Sequence, residues 1–372
     1  MGRTPALVSR AQILVMKTET HLSAADKTLV GTIYDPPRAG RPWMLKDVLP
    51  DGATRYYSLA RWALVDALRA CGVGAGDRVL VPGLICREVL ASINLLDATP
   101  VFYPVSHELR AGFSPGDSGQ AKAVLAVNYF GFPQELDVFR QYCERTGAAL
   151  IEDNAHGLLS RDENGRLLGS RGDAGVFSIR KTIAVPDGGA LVLNGHLEMP
   201  QTAEVGEART IRPRYPLKQI FRRVAGRLGP VRTHSVIGAL RQLRRAVTGD
   251  ALPVGAPDAE TRIPVGPSAS TILSRALTIA EPDLEVRRRR ALYALAGRII
   301  EVSGAVPVFP SLPRNVVPYG FPVFVSQAHL PGTVATVGRY GFQLSRWPDL
   351  PTAVASEAPE HYRHLMVLPF LW

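Results

Sequence analysis

The stretch from Ala148 to Asn194 constrains this chain most. It opens with a short apolar run, Ala148-Ala149-Leu150-Ile151, that ends in Glu152 and Asp153. Such a run reads as a buried strand with acids at its carboxyl end, where open α/β sheets bind ligands. A second run, Gly175-Val176-Phe177-Ser178, is followed by Arg180 and Lys181. Gly188-Gly189 then precedes a third run, Ala190-Leu191-Val192-Leu193. One acid and one amine, 28 residues apart, therefore sit at the ends of strands that can be neighbours.

This pair suits pyridoxal phosphate chemistry. A lysine forms a Schiff base with the aldehyde, and a carboxylate keeps the pyridine nitrogen protonated. The choice of lysine is narrow, because the chain has six (17, 27, 46, 122, 181 and 218). Lys122 precedes its apolar run and so sits at the wrong end of its strand. Lys17, Lys27 and Lys46 lie in an irregular amino-terminal region, and Lys218 in a basic segment. Lys181 alone follows a strand and precedes a glycine pair. Spacing by itself leaves a plainer reading open: a surface lysine in a loop and an aspartate capping a helix.

The segments Glu152-Asp153-Asn154-Ala155-His156, Gly172-Asp173, Phe177-Ser178, Lys181, Gly188-Gly189 and Asn194 occur in a characteristic order. That order resembles the DegT/DnrJ/EryC1/StrS family of fold-type-I pyridoxal phosphate enzymes, mostly sugar aminotransferases. The resemblance implies a three-layer α/β large domain with a mostly parallel sheet, like that of aspartate aminotransferase, and a small α+β carboxyl-terminal domain. It implies Lys181 as the catalytic residue that carries the cofactor, Asp153 on the pyridine nitrogen, His156 near the ring hydroxyl and Ser178 on the phosphate. It also implies Ser58, Leu59 and Ala60 near the phosphate and Asn128 in the site, with Tyr129 a weaker candidate. In this chain the interval from Ser178 to Lys181 is two residues shorter than usual. The family usually stacks an aromatic on the ring after the equivalent of Val81-Pro82. Here that slot reads Gly83-Leu84-Ile85, so the stacking contact is expected to be aliphatic or to come from elsewhere.

The 372 residues allow one large domain and a smaller one. No apolar run reaches the ~18 residues of a membrane span, and no signal-peptide h-region is expected. Cys71, Cys86 and Cys143 show no metal spacing and read as reduced core thiols, which points to a cytoplasmic protein without a metal. The net charge of +10 has one source. Between Ala208 and Gly249 there are eleven Lys and Arg and no acid, which leaves 32 basic and 33 acidic residues elsewhere.

Taken in order, residues 1–45 read as a partly ordered arm and 46–207 as the large cofactor-binding domain. Within that domain Ser58 is expected to cap a helix through Leu68, whose amino end can hold a phosphate. Alternating strands and helices follow, at Arg78–Pro82, Arg87–Leu96, Thr99–Tyr103, Lys122–Val127 and a helix to Thr146. Residues 208–249 form a basic insert of two amphipathic helices, 250–268 a linker, and 269–372 the small domain. A helix is expected from Ala269 to Ala280. A second is expected around Arg287-Arg288-Arg289-Arg290, a run read as a solvated face with one or two anchoring contacts.

The expected function is transfer of an amino group from an amino acid, glutamate by resemblance, to a keto-sugar. That acceptor would be nucleotide-linked, in polysaccharide or natural-product biosynthesis, and the enzyme a homodimer. Two alternatives stand beside it. One is dehydration or elimination on the same scaffold. The other is a non-catalytic relative docking through the insert. The insert could meet an anionic membrane surface, an acidic partner or a diphosphate, or simply cover the core; nucleic acid is not expected, since no recognition motif accompanies the charge.

Overall fold

The computed structural model describes residues 22–116, 119–201, 214–248, 257–279 and 281–372. Expectations for the first 21 residues lie outside this set. Described helices are α1 (Ala24–Gly31), α2 (Ala60–Ala70), α3 (Leu90–Asn94), α4 (Asp137–Thr146), α5 (Arg214–Leu228), α6 (Pro230–Thr248), α7 (Pro282–Ile300), α8 (Leu330–Arg339), α9 (Thr352–Ala355) and α10 (Glu360–His364). The large sheet holds β1 (Ala53–Tyr57), β2 (Arg78–Pro82), β3 (Thr99–Tyr103), β4 (Ala123–Val127), β5 (Ala149–Asn154), β6 (Ala174–Phe177) and β7 (Gly189–Leu193).

Its strand order is β1-β7-β6-β5-β4-β2-β3. Strands β3, β2, β4, β5 and β6 run parallel, while β7 is antiparallel to β6, and β1 to β7. The parallel strands are covered on both faces, so they read as continuous apolar runs; every residue of β4 is buried. Helix α2 buries Ala63 to Leu68 and packs across β6 and β7. A second, antiparallel sheet has the order β10-β11-β9-β8, built from β8 (Val306–Pro307), β9 (Gly320–Phe324), β10 (Ser345–Arg346) and β11 (Leu365–Pro369). Helix α7 packs on β9.

The expected strands are present and both helices of the insert form, but three local expectations change. Helix α2 starts at Ala60 with Leu59 as its N-cap residue, and Ser58 does not cap it. Instead the Ser58 hydroxyl donates to the Gly266 carbonyl (2.6 Å), and its N–H to Pro267 (2.8 Å). The segment after Ala269 holds only a 3-10 turn, Thr271–Ser274, rather than a helix. Backbone bridges from Ser268 to Tyr57 and from Leu277 to Trp43 fix it as extended chain at both ends.

The arginine run is the third. Arg288 and Arg289 are buried, not solvated, and both donate to Glu285, itself 2 % exposed. Their spare N–H groups reach backbone carbonyls: Arg288 that of Phe370 (3.0 Å), Arg289 those of Pro318 (3.0 Å) and Thr182 (3.0 Å). One carboxylate thus balances two guanidiniums, with hydrogen bonds absorbing the remaining donors. Burial alone would raise the Glu285 pKa, but the two cations outweigh it and hold the carboxyl below its ordinary value of 4.5. Its contribution is present above the unfolded-state pKa and is lost as pH falls through the folded value. Glu285→Gln should cost about 3–5 kcal/mol in urea unfolding at neutral pH. The deficit against wild type should shrink as the titration is carried below the ordinary glutamate range.

Candidate active site

Strand register builds the floor of the site. Asp153 on β5 lies between Val127 on β4 and Val176 on β6. All three line a cavity of about 260 Å³ at the carboxyl ends of the strands. Side chains alternate along a strand, so the neighbouring Glu152 is sent to the other face. There it is fully buried and paired with Arg171 at 2.6 Å. One acid of the pair is structural and the other is offered to the cavity. Burial raises the Asp153 pKa, opposed by the Ala155 N–H (2.9 Å) and the charge of Lys181.

Lys181 ends a 3-10 turn, Ile179–Lys181, directly after β6. Its Nζ lies 3.0 Å from His156 Nε2. Burial lowers the Lys181 pKa below 10.5, countered by Cys86 and Asp153. Burial also drives His156 well below its ordinary range, helped by the charges of Lys181 and Arg289. The Phe130 N–H donates to His156 Nδ1 at 3.4 Å. A neutral ring with Nδ1 accepting carries its proton on Nε2, the atom that faces Lys181 Nζ. Phe130 is held at φ 54° to make this contact, a left-handed backbone that non-glycine residues seldom adopt. Tyr319 stacks on the His156 ring at 4.3 Å and 10°.

The opposite wall is the amino end of α2, where Leu59, Ala60 and Arg61 line the cavity. Its approach to β7 needs Gly189. A Cβ there would sit 2.5 Å from the Ala60 nitrogen and from the Leu59 carbonyl carbon. Gly188, at φ 142°, donates its N–H to the Ser58 carbonyl (3.0 Å) and completes the seam. Ser178 lines the cavity and makes no side-chain capping bond to the turn it precedes.

Of the residues singled out from the sequence, Leu59, Ala60, Asn128, Asp153, His156, Ser178 and Lys181 all line this one cavity. Ser58 is buried behind it, bonded to residues 266 and 267. Asn128 reaches the cavity, but its side-chain amide is engaged by Glu152 (3.1 Å), Arg171 (2.8 Å) and the Gln134 N–H (2.9 Å). Tyr129 donates its hydroxyl to the Leu84 carbonyl (2.9 Å) instead. From the slot after Val81-Pro82, Ile85 lines the cavity, and beside it Cys86, read from the sequence as a core thiol, also does. Burial pushes that thiol up to about 12, so it is not a thiolate nucleophile.

Sequence reasoning gave no site role to Trp347, Tyr319, Glu88, Arg61 or Arg180, all of which line the cavity. It also missed Arg289, whose Nη2 donates to the carbonyls of Lys181 (3.1 Å) and Thr182 (3.0 Å) and holds the lysine-bearing turn. The available signal was Glu285, four residues earlier, the spacing of a helical ion pair. Chemically, the site offers an amine whose pKa burial lowers and a carboxyl, both lining one cavity of about 260 Å³.

Residues 60–205 match the model of the DegT/DnrJ/EryC1/StrS aminotransferase family, as the sequence resemblance implied. The L-glutamine:2-deoxy-scyllo-inosose aminotransferase of Streptoalloteichus tenebrarius is 34% identical over 144 residues, 36% of this chain and 32% of that protein. The chain thus spans about a third of the length of this curated relative. Among solved structures, DesI in the presence of its TDP-sugar product aligns with TM-score 0.54 and 17% identity, over 87% of this chain and 77% of that one. The PLP-form of the sugar aminotransferase Spr1654 from Streptococcus pneumoniae aligns with TM-score 0.50 and 15% identity, over 95% and 92%. The fold is therefore that of these aminotransferases, the fold-type-I architecture expected from the sequence.

Labelling of Lys181 by trinitrobenzenesulfonate, followed by peptide mapping against pH, should give an apparent pKa below the ordinary 10.5. Asp153→Asn removes an opposite charge that favours the ammonium, so the apparent pKa should fall further.

Proposed function

We propose that this chain, with the DegT/DnrJ/EryC1/StrS aminotransferase pattern over residues 60–205, is a pyridoxal phosphate-dependent aminotransferase. The observation that carries the reading is that the Lys181 amine, its pKa lowered by burial, and the Asp153 carboxyl line one cavity. The residues fit the cofactor. Asp153 has a backbone N–H and the charge of Lys181 to offset its burial, and a protonated ring nitrogen would supply a direct cationic partner. The amino end of α2 and the Ser178 hydroxyl line the same cavity and would take the phosphate.

Bound pyridoxal phosphate supplies an electrophilic aldehyde and an electron-accepting ring that holds an amino group between donor and acceptor. The rest falls to this chain. Lys181 Nζ would hold the cofactor through its aldehyde and, once displaced by the substrate amine, would be placed to take and return the proton of the substrate carbon that bears that amine. His156 Nε2 lies 3.0 Å from the Lys181 amine and would orient it, and Asp153 would favour a positive ring nitrogen. Arg289 fixes the carbonyl of Lys181, so the amine swings from a rigid turn. Tyr319 and Trp347 close the cavity on the small-domain side and exclude water.

The acceptor is a keto-sugar or keto-cyclitol, nucleotide-linked in the leading reading, and the donor is glutamate. The names of the relatives support this class: one acts on a deoxy-inosose, and another was solved with a TDP-sugar product. The enzyme works as a cytoplasmic homodimer in polysaccharide or natural-product biosynthesis, with residues 46–207 as the large domain and 269–372 as the small one.

We also place it at an anionic membrane surface through the insert. Leu217, Ile220, Val224 and Leu228 fall on one face of α5 and are 67%, 58%, 45% and 39% exposed. The exposed Arg223 and Arg227 flank that stripe, and the whole insert carries no acid. An apolar stripe bordered by cations suits the plane of an anionic bilayer, while no described helix is long and apolar enough to cross one.

The purified protein with added pyridoxal phosphate should show a visible absorbance band, bleached by glutamate with release of a keto acid. Lys181→Ala should remove the band and lower the glutamate half-reaction by a factor of about 10²–10⁴. A normal band without keto acid release, but with loss of water or a side chain from the substrate, would replace transamination by elimination. For the surface, Leu217→Glu with Ile220→Glu should abolish sedimentation with phosphatidylglycerol vesicles and leave the half-reaction unchanged.

A further inference from the structure

The turn that carries Lys181 sorts its side chains by direction. Ile179–Lys181 is a 3-10 turn, and with three residues per turn positions 178 and 181 share one face. Ser178 and Lys181 accordingly both line the first cavity. Ile179 goes to the core and is fully buried. Arg180 takes the third direction: it is exposed, yet it still lines the cavity, so it stands at the rim. Its Cα is about 3.8 Å from that of Lys181, as for any trans-linked neighbours. Burial is the main reason the Lys181 pKa is lowered, and the Arg180 charge adds to it. The same charge acts on the Tyr319 hydroxyl, against the larger effect of burial. The chemistry assigned to Lys181, Asp153 and His156 does not call on this guanidinium.

The charges around the amine indicate what a rim cation would do. Two carboxylates act on Lys181 in the sense opposite to Arg180: Asp153 on β5 and Glu88 in the turn after β2, and both line the cavity. An amino acid brings a third carboxylate, on the very carbon that must reach Nζ. Entering beside two anions, it is repelled unless a cation lies within a few ångströms of it. A guanidinium suits that group, since its planar fork takes both carboxylate oxygens at once. Arg61 is the other guanidinium on the cavity, but it stands at the amino end of α2, on the side assigned to the cofactor phosphate. A phosphate carried by a sugar lies several bonds from the keto carbon, whereas Arg180 adjoins the residue that meets the reacting carbon. We propose that Arg180 binds the carboxylate on the reacting carbon of the amino donor, and so sets which amines the site accepts. This inference rests on the transamination reading and adds to it the residue that selects the donor.

The test is the donor half-reaction of the full chain loaded with pyridoxal phosphate, followed by the bleaching of its visible band. Arg180→Gln should raise KM for glutamate by about 10- to 100-fold, the scale of a charge-assisted pair, with kcat changed little. Arg180→Lys keeps the charge without the fork and should fall between the two. The preference for glutamate over 4-aminobutyrate, which lacks a carboxylate on the reacting carbon, should shrink by the same factor. A residue that only shaped the turn would leave that ratio alone. Because Arg180 is exposed, both variants should melt at the wild-type temperature. In the cofactor-free chain Arg180→Gln removes a like charge, so the apparent pKa of Lys181 from trinitrobenzenesulfonate labelling should rise. A glutamate KM that Arg180→Gln leaves unchanged would overturn the proposal, and weaker inhibition by thymidine diphosphate in that variant would then assign the arginine to a phosphate. A wild-type protein with no visible band would remove the transamination reading first, and this inference with it.

Discussion

The candidate site hangs on a buried cation. Arg289 is fully buried at the centre of the structure, and its side chain joins three parts of the chain that are far apart in sequence. Through Glu285 it belongs to α7, through the Pro318 and Tyr319 carbonyls it holds the approach to β9, and through Lys181 and Thr182 it holds the turn after β6. Taking a guanidinium out of water costs several kcal/mol. That cost is tolerable only because every part of the fork meets an acceptor. The same condition makes the arrangement geometrically strict. The lysine amine and the tyrosine that faces it across His156 are placed by one side chain, so neither can drift without stranding a buried donor.

The amine itself is prepared by subtraction of water rather than by a strong base. Burial disfavours the charged forms of both Lys181 and His156, and each makes the charge of the other less welcome. Asp153 and Cys86 pull the other way, so the lysine is kept from becoming inert. The Phe130 backbone settles the remaining ambiguity. Its N–H, turned inward by a left-handed residue at the end of β4, assigns the imidazole tautomer and with it the direction of the 3.0 Å hydrogen bond. Strand order, register and one left-handed residue together set this geometry.

Much of this was legible in the sequence, for a physical reason. The parallel strands are buried on both faces, so each is a short apolar run cut off by turn residues, and the residue at its carboxyl end is a site candidate by topology alone. Asp153 and Lys181 were found that way. Gly188-Gly189 was also visible, though its purpose was not: it clears the backbone so that α2 can abut β7. What could not be read locally was any contribution from more than 100 residues away. Trp347 and Tyr319 enter the cavity because the second sheet docks there, and no periodicity in their own segments reports that. The four arginines misled for a sharper reason. A helical cationic run reads as solvated unless its acid is counted, and Glu285 sits at the spacing that allows two of the four to go inside. The helix expected after Ala269 failed because pairing with Trp43 and Tyr57 claimed the backbone at both ends of the segment, and tertiary pairing outweighs a weak helical propensity.

The insert follows from an inversion of the ordinary rule for surface helices. A helix that merely covers a core turns its apolar stripe inward and its charges to water. Helix α5 does part of this with Phe221 and Ala225, but its Arg222 is buried, and Lys218 lies over the Trp372 ring at 5.0 Å while Leu217 and Ile220 face out. Folding in isolation gains nothing from such an arrangement, since it desolvates cations and hydrates aliphatic side chains at the same time. Lengthening a connection at this point is itself cheap, because loop-closure cost grows only slowly with length. Helix α5 is thus two-sided, with a guanidinium buried on its inner face and an aliphatic stripe exposed on its outer one.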